Sequence, residues 1–565
     1  MLRPYKRERT IYMKGLTLIL LLCLPITVVA GTILPPGFQE ELVVYGLQLP
    51  TGAAYAPDGR LFITEKQGAL RIFKDGTLLP QPFLRVSVNS LSERGLDGIV
   101  LDPNFTTNHY VYIYYTTSGA SPKNQLERWT ANGDVAAPGS RKILLRNIRS
   151  DAGFHNGGGL VFGKDGKLYV STGDGGEHPE LAQTLTSANG KILRINSDGS
   201  IPSDNPFYNQ SGDRKEIFCY GLRNPYRFRI NLNTGVMIIG DVGGDLYEEI
   251  NVGKRGSNYG WPIVEGPAND SRFTPPVYDY DHSNGGAAVI VGPFYTASQY
   301  PQKYRGMMFF TDYVRGFIKT IGFDSNGNPG AVNDFGSGLI APSDMILGSD
   351  GTIQYVSINS GEIRRIRYVG GNNRPPVVEA SSSKRAGISP LTVHFQSNGT
   401  YDPDGDPLKY FWDFGDGTFA TQRNSEHTYR VNGTYYVVLT AKDNHGGTTS
   451  SRSLKVVVGN LPPTAIITTP LTGTTIHVNE RINFSGRGSD PEDGTIDPQN
   501  MLWSAKIFHN EHTHPFLNGV RGPSGSVTMP PTLHGSGTLF LRLYLRVTDS
   551  SGLSREDYVD LPWVQ

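Results

Sequence analysis

A strand–turn–strand unit recurs along the first two-thirds of this chain, and it constrains the fold more than any other feature. Each copy has an apolar strand, a turn rich in Asp and Gly, and an aromatic-rich strand, which is the pattern of an antiparallel hairpin. Copies start roughly 40 to 80 residues apart, as expected for propeller blades of about four short strands. Six copies are present: Thr51–Gly76, Gly95–Thr116, Phe154–Gly176, Asn224–Asp241, Met307–Asp324 and Ser343–Tyr368.

These repeats, with almost no long helical periodicity, predict an all-β fold. Residues 31–370 are predicted to form a six-bladed β-propeller, in which the strand Glu40–Tyr45 closes the ring by pairing with the last blade. An irregular β-sandwich is the alternative. Pro-rich linkers at Asn372–Pro376 and Asn460–Pro463 separate two further β-rich segments. We expect both segments, 375–458 and 464–565, to be immunoglobulin-like β-sandwiches.

The N-terminus has the order of features found in a secretory signal. A basic region precedes the apolar run Gly15–Leu24, and Val28–Ala30 offers small residues for cleavage. Residues 1–30 are therefore predicted to be a signal peptide, with no membrane span in the mature chain; an uncleaved anchor is the alternative. The protein is expected to be secreted and extracellular, periplasmic or at the cell surface. Cleavage would leave Cys219 as the sole cysteine and therefore no internal disulfide.

Overall charge gives no reason to expect a nucleic-acid partner, because 52 Lys and Arg balance 52 Asp and Glu. Asn-x-Ser/Thr sequons would make the chain a glycoprotein if its source is eukaryotic. They lie at Asn104, Asn209, Asn269, Asn398, Asn432 and Asn483.

Polar residues that interrupt the repeat are the candidates for function, because the repeat itself supplies only scaffold. Propellers bind ligands at the mouth of the central channel, on loops carried by rigid blades. The candidates are His155 beside a glycine run, Glu93 with Arg94, Arg223 with Asn224, and the segment Asp241–Glu249.

Five motifs in a fixed order give the chain a family resemblance over about residues 35–370. Together they resemble the soluble glucose/sorbosone dehydrogenases, six-bladed propellers that use pyrroloquinoline quinone (PQQ) and calcium. The resemblance implies oxidation of sugars or related polyols and aldoses by hydride transfer to the quinone. The motifs are Ser92–Phe105, Phe154–Gly176, Gly221–Phe228, Gly240–Asn251 and Asn258–Pro262.

The resemblance also implies roles for single residues. His155 matches the general base, which takes the proton of the anomeric hydroxyl, and Asp174 matches an acidic residue close to it. In the family an aspartate precedes the histidine and orients it, whereas here Phe154 stands at that position. We therefore expect the imidazole to lack its carboxylate partner. Arg223 and Asn224 match residues that contact the quinone.

Cofactor residues follow from the same match. Glu93 stands where glucose-oxidising members have a glutamine that contacts the quinone. The carbonyls of Gly243 and Gly244 match the calcium-binding turn, supported by Glu248 or Glu249, and calcium prefers such oxygen ligands. Three cations that bind the quinone's carboxylates are replaced by Val314, Ala341 and Ser343, although Arg315 is adjacent. The alternative is thus a non-enzymatic extracellular propeller that binds carbohydrate or protein without a cofactor.

The segment Tyr401–Gly447 resembles the polycystic-kidney-disease (PKD) type of immunoglobulin-like domain. That resemblance implies an extracellular spacer or adhesion module, with a protein or polysaccharide as a possible partner. Its alternating Asp402, Asp404 and Asp406 fit either a solvated turn or half of a calcium loop, and the acidic loop Asp490–Asp497 has the same ambiguity. Near the C-terminus, His509, His512 and His514 are candidate ligands of a second metal, or structural histidines. A metal-dependent enzyme built on them is a third hypothesis.

Overall fold

The computed structural model describes residues 32–119, 121–283, 285–509, 512–529 and 539–564, and in them the chain is nearly all strand. The predicted all-β class is confirmed, whereas the predicted signal peptide, 1–30, lies outside the described residues. No helix in the described ranges is long and apolar enough to cross a bilayer. The helical pieces are the α-helix Phe105–Asn108 and the 3-10 helices Pro179–Ala182, Gln302–Tyr304 and Pro498–Asn500.

Six antiparallel sheets form the predicted propeller. The first strand of each blade contacts the first strands of both neighbouring blades, so these strands surround a central channel and the ring is closed. Blade 1 has Pro50–Tyr55, Leu61–Glu65, Ala69–Lys74, Thr77–Leu78 and Leu84–Arg85, and blade 2 has Leu96–Leu101, Tyr110–Thr116, Lys123–Asn132, Val135–Ala136 and Lys142–Arg149. Blade 3 has Leu160–Phe162, Leu168–Thr172, Lys191–Ile195 and Ile217–Tyr220, and blade 4 has Arg227–Ile230, Met237–Asp241, Tyr247–Gly253 and Tyr278–Asp281. Blade 5 has Val289–Phe294, Met308–Asp312, Ile318–Phe323 and Pro329–Gly336.

Blade 6 is completed by the start of the chain. Its own strands are Pro342–Leu347, Ile353–Ser357 and Glu362–Tyr368, and Phe38–Val44 pairs antiparallel with the last of them, with Phe38 opposite Tyr368. The predicted ring closure by the first strand is therefore confirmed. Apolar side chains fill the spaces between neighbouring blades, as between blades 1 and 2, where Phe62, Ile72 and Ile113 are fully buried.

Two β-sandwiches follow the propeller, and each is built around a buried tryptophan, Trp412 in the first and Trp503 in the second. The first sandwich has the strands Ser381–Ser382, Ala386–Gly387, Leu391–Gln396, Lys409–Asp413, Phe419–Ala420, Ser425–Tyr429, Gly433–Lys442, Thr448–Ser450 and Leu454–Val458. The second has Thr464–Thr469, Ile476–His477, Arg481–Asp490, Gly494–Thr495, Met501–His509, His512–Arg521, Ser524–Thr528, Leu539–Thr548 and Ser554–Val564. The exact domain boundaries stay predictions.

The first sandwich is docked on blade 6. The fully buried Arg364 of blade 6 donates hydrogen bonds to the backbone carbonyls of Ser450 and Ser451. In the opposite direction, the Ser453 amide donates to Glu362 at 2.6 Å, and Arg452 donates to the Tyr355 hydroxyl at 2.8 Å. This buried polar contact fixes the sandwich against the ring, which a flexible spacer would not do.

Candidate active site

Two cavities lie along the propeller axis. The first, which we call the channel cavity, measures about 290 Å³ and is lined from blades 1, 2, 4, 5 and 6, by Thr51, Glu93, Asn224, Ala288 and Ser343 among others. A second cavity, of about 330 Å³, includes Arg227 in its wall. The channel cavity is close to the lower end of the size range of small-molecule sites. It brings together Glu93 and Asn224, two of the predicted cofactor residues.

His155 and Asp174 form a hydrogen-bonded pair. The imidazole Nδ1 lies 2.7 Å from Asp174 Oδ1, and the two side chains are 16% and 1% exposed. Because a carboxylate only accepts, Nδ1 carries the proton, and in the neutral imidazole Nε2 presents a lone pair; Nε2 has no partner among the described residues. The expectation that Phe154 leaves the imidazole without a carboxylate is wrong, since Asp174 supplies it from the far side of the hairpin. The arrangement is that of a general base with its orienting carboxylate.

Asp174 is held by three donors. Besides His155, the Gly176 amide donates to Oδ1 at 2.7 Å and the Trp261 indole donates to Oδ2 at 2.8 Å. Burial acts to raise the pKa of Asp174, but the bonds from His155, Gly176 and Trp261 outweigh it, so its pKa lies below the ordinary value. The carboxylate therefore stays ionised at neutral pH. Trp261 was not predicted from the sequence as a site residue.

The backbone at His155 is fixed by glycines and by Glu93. His155 has a φ of 54°, a left-handed conformation, and its amide donates to Glu93 Oε2 at 2.8 Å. A Cβ at Gly173 would lie 2.0 Å from the His155 carbonyl oxygen, so only glycine fits there. Glu93 thus both lines the cavity and holds the histidine loop, and its predicted contact with a cofactor stays a prediction.

Arg223 and Asn224 are positioned by Asp241, which ends the second strand of blade 4. Its carboxylate accepts from both backbone amides, at 2.9 and 2.7 Å. The Arg223 guanidinium lies 5.4 Å from the centre of the Trp261 ring and donates to the Val242 carbonyl. Arg223 is therefore joined through Trp261 to the His155–Asp174 pair, while Asn224 faces the channel cavity.

The predicted calcium turn has its amides satisfied from the interior. The amide of Gly244 donates to Glu265 Oε1 at 2.8 Å, and that of Gly243 to Glu248 Oε1 at 3.3 Å. Within the described residues the carbonyl oxygens of Gly243 and Gly244 accept no hydrogen bond, which suits ligands of a hard cation. Glu265, which the sequence did not single out, organises this turn.

Glu248 and Glu249 are buried, and their carboxylates accept hydrogen bonds from neighbouring amides and side chains. Glu248 accepts from His282 at 3.0 Å and from the Val289 amide at 2.7 Å. Glu249 accepts from the Gly266 amide and the Asn251 side chain. Burial raises the pKa of Glu249 to about 7, despite those two bonds. Glu248 therefore supports the turn directly, through the Gly243 amide, and Glu249 through the strand Tyr247–Gly253. The predicted part of both in holding calcium stays a prediction.

The cations around the cavity differ from those sought in the sequence. Val314 is exposed and Ala341 and Ser343 are buried, while Arg315 donates to the backbone carbonyls of Asp281 and Gly285, outside the cavity. In the described part of the chain the one lysine or arginine lining the channel cavity is Lys66, whose ammonium donates to the Ser90 carbonyl. No sequence motif pointed to Lys66, because it lies in the turn of a blade hairpin.

The candidate second metal sites differ in what the structure shows. Carboxylate oxygens of Asp402, Asp406 and Asp443 lie within 4.8 Å of one another, whereas Asp404 bonds to Arg374 instead. In the loop Asp490–Asp497, Asp490 accepts from the amides of Glu492 and Asp493. The side chains of His509, His512 and His514 lie outside the described residues, although the backbone of His509 pairs with that of His512. The second metal site stays a prediction.

Comparisons with known proteins place this geometry in a family. The model of the glucose/sorbosone dehydrogenase family matches residues 47–332, and that of the PKD domain matches residues 373–458. The chain belongs to the glucose/sorbosone dehydrogenase family. The resemblance stated from the motifs, including the PKD domain, is confirmed.

Relatives within the family include the aldose sugar dehydrogenase YliI of Escherichia coli, 31% identical over 43% of this chain and 66% of that protein. The quinoprotein glucose dehydrogenase B of Acinetobacter calcoaceticus is 29% identical over 42% of this chain and 55% of that protein. A solved glucose dehydrogenase-type oxidoreductase of Thermus thermophilus superposes with a TM-score of 0.53 at 30% identity, covering 58% of this chain and 99% of that one. The chain thus spans less than two-thirds of the length of these curated relatives.

The donor set fits a PQQ-type cofactor, but with one cation among the described residues of the cavity wall where the family resemblance implies several. Lys66 and Asn224 offer a cation and an amide to a carboxylate-bearing quinone in the channel cavity. The free carbonyls of Gly243 and Gly244 are oxygen ligands of the kind calcium takes. The Asp97 carboxyl also lies in the cavity wall. Its Oδ2 is buried without a hydrogen-bond partner among the described residues.

Proposed function

We propose that this protein is a PQQ- and calcium-dependent dehydrogenase that oxidises sugars or related polyols and aldoses. The observation that carries the proposal is the His155–Asp174 pair, with Nδ1 bonded to a carboxylate and Nε2 left with a lone pair. A general base needs this arrangement, because it must accept a proton at one nitrogen while the other is held in the correct tautomer.

In this proposal His155 Nε2 takes the proton of the hydroxyl group on the carbon to be oxidised. Asp174 stabilises the imidazolium that results, and Trp261 and Gly176 keep the carboxylate aligned. Lys66, Arg223 and Asn224 would hold PQQ, and the carbonyls of Gly243 and Gly244 would hold calcium. When bound, PQQ with calcium supplies a polarised two-electron acceptor for the hydride.

The test is a calorimetric titration of the purified protein with PQQ, with calcium present and with calcium chelated. We expect micromolar or tighter binding that requires calcium, followed by turnover of a sugar panel with a dye acceptor. His155→Ala should abolish turnover and leave PQQ binding in place. His178→Ala is the matched control, because His178 is exposed and pairs with Glu180 instead. Turnover that survives His155→Ala would remove the general base from the proposal.

A cofactor-free binding propeller is the second candidate function. Lys66 is the one cation among the described residues lining the channel cavity, and Val314, Ala341 and Ser343 are all neutral. This poor anion clamp favours a neutral ligand such as a glycan. Absence of PQQ binding under all calcium conditions, together with saturable binding of a sugar or oligosaccharide, would select this function.

We also propose that the protein acts outside the cytoplasm and that its two β-sandwiches contact extracellular glycan or protein. The PKD-domain match supports this setting. A tagged full-length chain recovered from the medium, periplasm or cell surface, with residues 1–30 removed, is the expected result of cell fractionation. Recovery from the cytoplasm with the leader intact would contradict it.

A further inference from the structure

Asp97 lies between the two cavities of the propeller axis and lines both of them. It belongs to the innermost strand of blade 2, Leu96–Leu101. The residue is 3% exposed, and its Oδ2 is buried with no hydrogen-bond partner among the described residues. A buried polar atom without a partner is uncommon in folded proteins, and the carboxyl that carries it belongs to a residue in the walls of both cavities.

Neighbouring groups surround Asp97 without bonding to its carboxyl. Arg227, the nearest guanidinium along the axis, donates to the backbone carbonyls of Thr51 and Asp97 and lies 3.4 Å from Asp344. The titratable and charged groups that face Asp97 are Lys66 from blade 1, Glu93 and Tyr114 from blade 2, and Tyr226 and Arg227 from blade 4, with Asp344 of blade 6 beyond them.

Burial raises the pKa of Asp97 to about 7, against the attraction of Lys66 and Arg227 and with the repulsion of Glu93. The carboxyl therefore takes up and releases its proton near neutral pH in the free protein. An ionised Asp97 would repel a ligand that carries carboxylates, whereas a protonated one offers a hydrogen-bond donor.

We propose that protonated Asp97 donates a hydrogen bond to the acidic ligand of the channel cavity, a carboxylate-bearing quinone of the PQQ type, and in this way replaces part of the missing cation clamp. This inference rests on the proposed function. A hydrogen bond from a carboxylic acid to a carboxylate is short and strong. One such donor and Lys66 together give an anionic cofactor two anchors at the base of the cavity.

A consequence is that cofactor binding takes up protons. A bound anion favours the neutral form of Asp97 and raises its pKa further, so the complex holds a proton that part of the free protein has lost. Affinity should therefore weaken as the pH rises above about 7, by up to about tenfold per pH unit. At pH 6, where free Asp97 is already protonated, the dependence should be small.

The experiment is a calorimetric titration of the full-length, calcium-loaded protein with PQQ at pH 6, 7 and 8. Two buffers with different ionisation enthalpies, HEPES and Tris, give the number of protons taken up at pH 8. We expect wild-type affinity to fall several-fold between pH 7 and 8, with net proton uptake. Asp97→Asn should bind with nearly the same affinity at all three pH values, because an amide donates whatever the pH. Asp97→Ala should bind about tenfold or more weakly at pH 6.

Asp334→Asn serves as the matched control, since Asp334 is 87% exposed and pairs with Lys319 outside the cavity, so proton uptake should stay as in the wild type. Binding by the wild type with no proton uptake, or pH dependence that persists in Asp97→Asn, would overturn the role of Asp97 and leave the dehydrogenase proposal standing. No PQQ binding at any pH would overturn both.

Discussion

Replacing Arg364 with methionine should separate the PKD-type sandwich from the propeller. Arg364 is fully buried, with its guanidinium 2.7 Å from Glu40 and 2.9 Å from Glu362, and it also donates to the carbonyls of Ser450 and Ser451. Methionine keeps the apolar stem of the side chain but removes the guanidinium and leaves two buried carboxylates. The remaining cation, Arg452, is farther away, with its guanidinium 3.9 Å from Glu40 and 3.8 Å from Glu362.

The expected loss in free energy of unfolding follows from the burial of these charges. Removing one partner of a buried ion pair costs about 3–5 kcal/mol, because the other charge stays desolvated and unpaired. Arg365→Met is the matched control on the same strand. Arg365 is 33% exposed and pairs with Glu41 and Asp350, and exposed pairs contribute about 0–1 kcal/mol. The two neighbouring arginines should therefore differ by at least 2 kcal/mol, an estimate that follows from these ranges.

Urea unfolding measured at pH 7 by circular dichroism, with limited proteolysis of the linker at 371–376, is the assay. We expect Arg364→Met to lower the free energy of unfolding and to expose the linker to protease under native conditions. Equal losses in the two variants, or a loss below 1 kcal/mol in Arg364→Met, would refute the view that this buried cluster docks the sandwich.

Four further outcomes are expected. Asp174→Asn should lower kcat about a hundredfold or more with PQQ affinity unchanged, since an amide cannot stabilise the imidazolium; near-normal dye-linked turnover would contradict this. Trp261→Phe should lower kcat about tenfold by removing one hydrogen bond to Asp174, with Trp129→Phe as a silent control. Asp97→Asn should stabilise the free protein by about 4 kcal/mol at pH 8 and hardly at pH 4, because the raised pKa of Asp97 lowers stability as pH rises from its ordinary value to about 7; equal gains in urea unfolding at both pH values would contradict it. Burial acts to raise the pKa of Glu40, but Arg452 and Arg364 hold it below the ordinary value, and the same opposition holds at Glu362. The two carboxylates therefore contribute fully to the free energy of unfolding above about pH 4.5, and this contribution is lost as pH falls through their lowered pKa values. The difference in free energy of unfolding between wild type and Arg364→Met should accordingly shrink below pH 4.

The propeller could be predicted from the sequence because its signals are local. Asp-Gly turns and alternating strands mark each hairpin, and the hairpin Leu160–Thr172 lies where the pattern placed it. Closure by the first strand was also predicted, at Glu40–Tyr45, and the structure has it at Phe38–Val44.

The site was predicted less completely, because it depends on contacts between distant residues. Asp174 was correctly placed near His155, but the partner carboxylate was sought at Phe154, whereas a hairpin brings Asp174 within 2.7 Å of Nδ1. Lys66 has the sequence context of an ordinary hairpin turn and Asp97 that of an ordinary blade strand, and nothing local distinguishes a side chain that faces the channel.

The docking of the first sandwich on blade 6 was not predicted either, because it also depends on contacts between residues far apart in the chain. Arg364 occurs in a strand with four charged residues, Glu362, Arg364, Arg365 and Arg367, and such a pattern is normally solvent-exposed. Its burial depends on the carbonyls of Ser450 and Ser451, which lie in another domain. The Pro-rich linker indicated a change of segment but carried no information about contact across it.

Ring closure by the first strand has a consequence for biosynthesis. Glu40 and its partner Arg364 are 324 residues apart, and synthesis at about 5–20 residues per second takes on the order of 20–60 s to cover that distance. During this time Phe38–Val44 leaves the ribosome with an unpaired β-edge, and the blades made after it cannot yet close the circle. A chaperone that holds exposed strands is therefore most useful to this protein early in its synthesis, and folding should be rate-limited by the meeting of its two most distant strands.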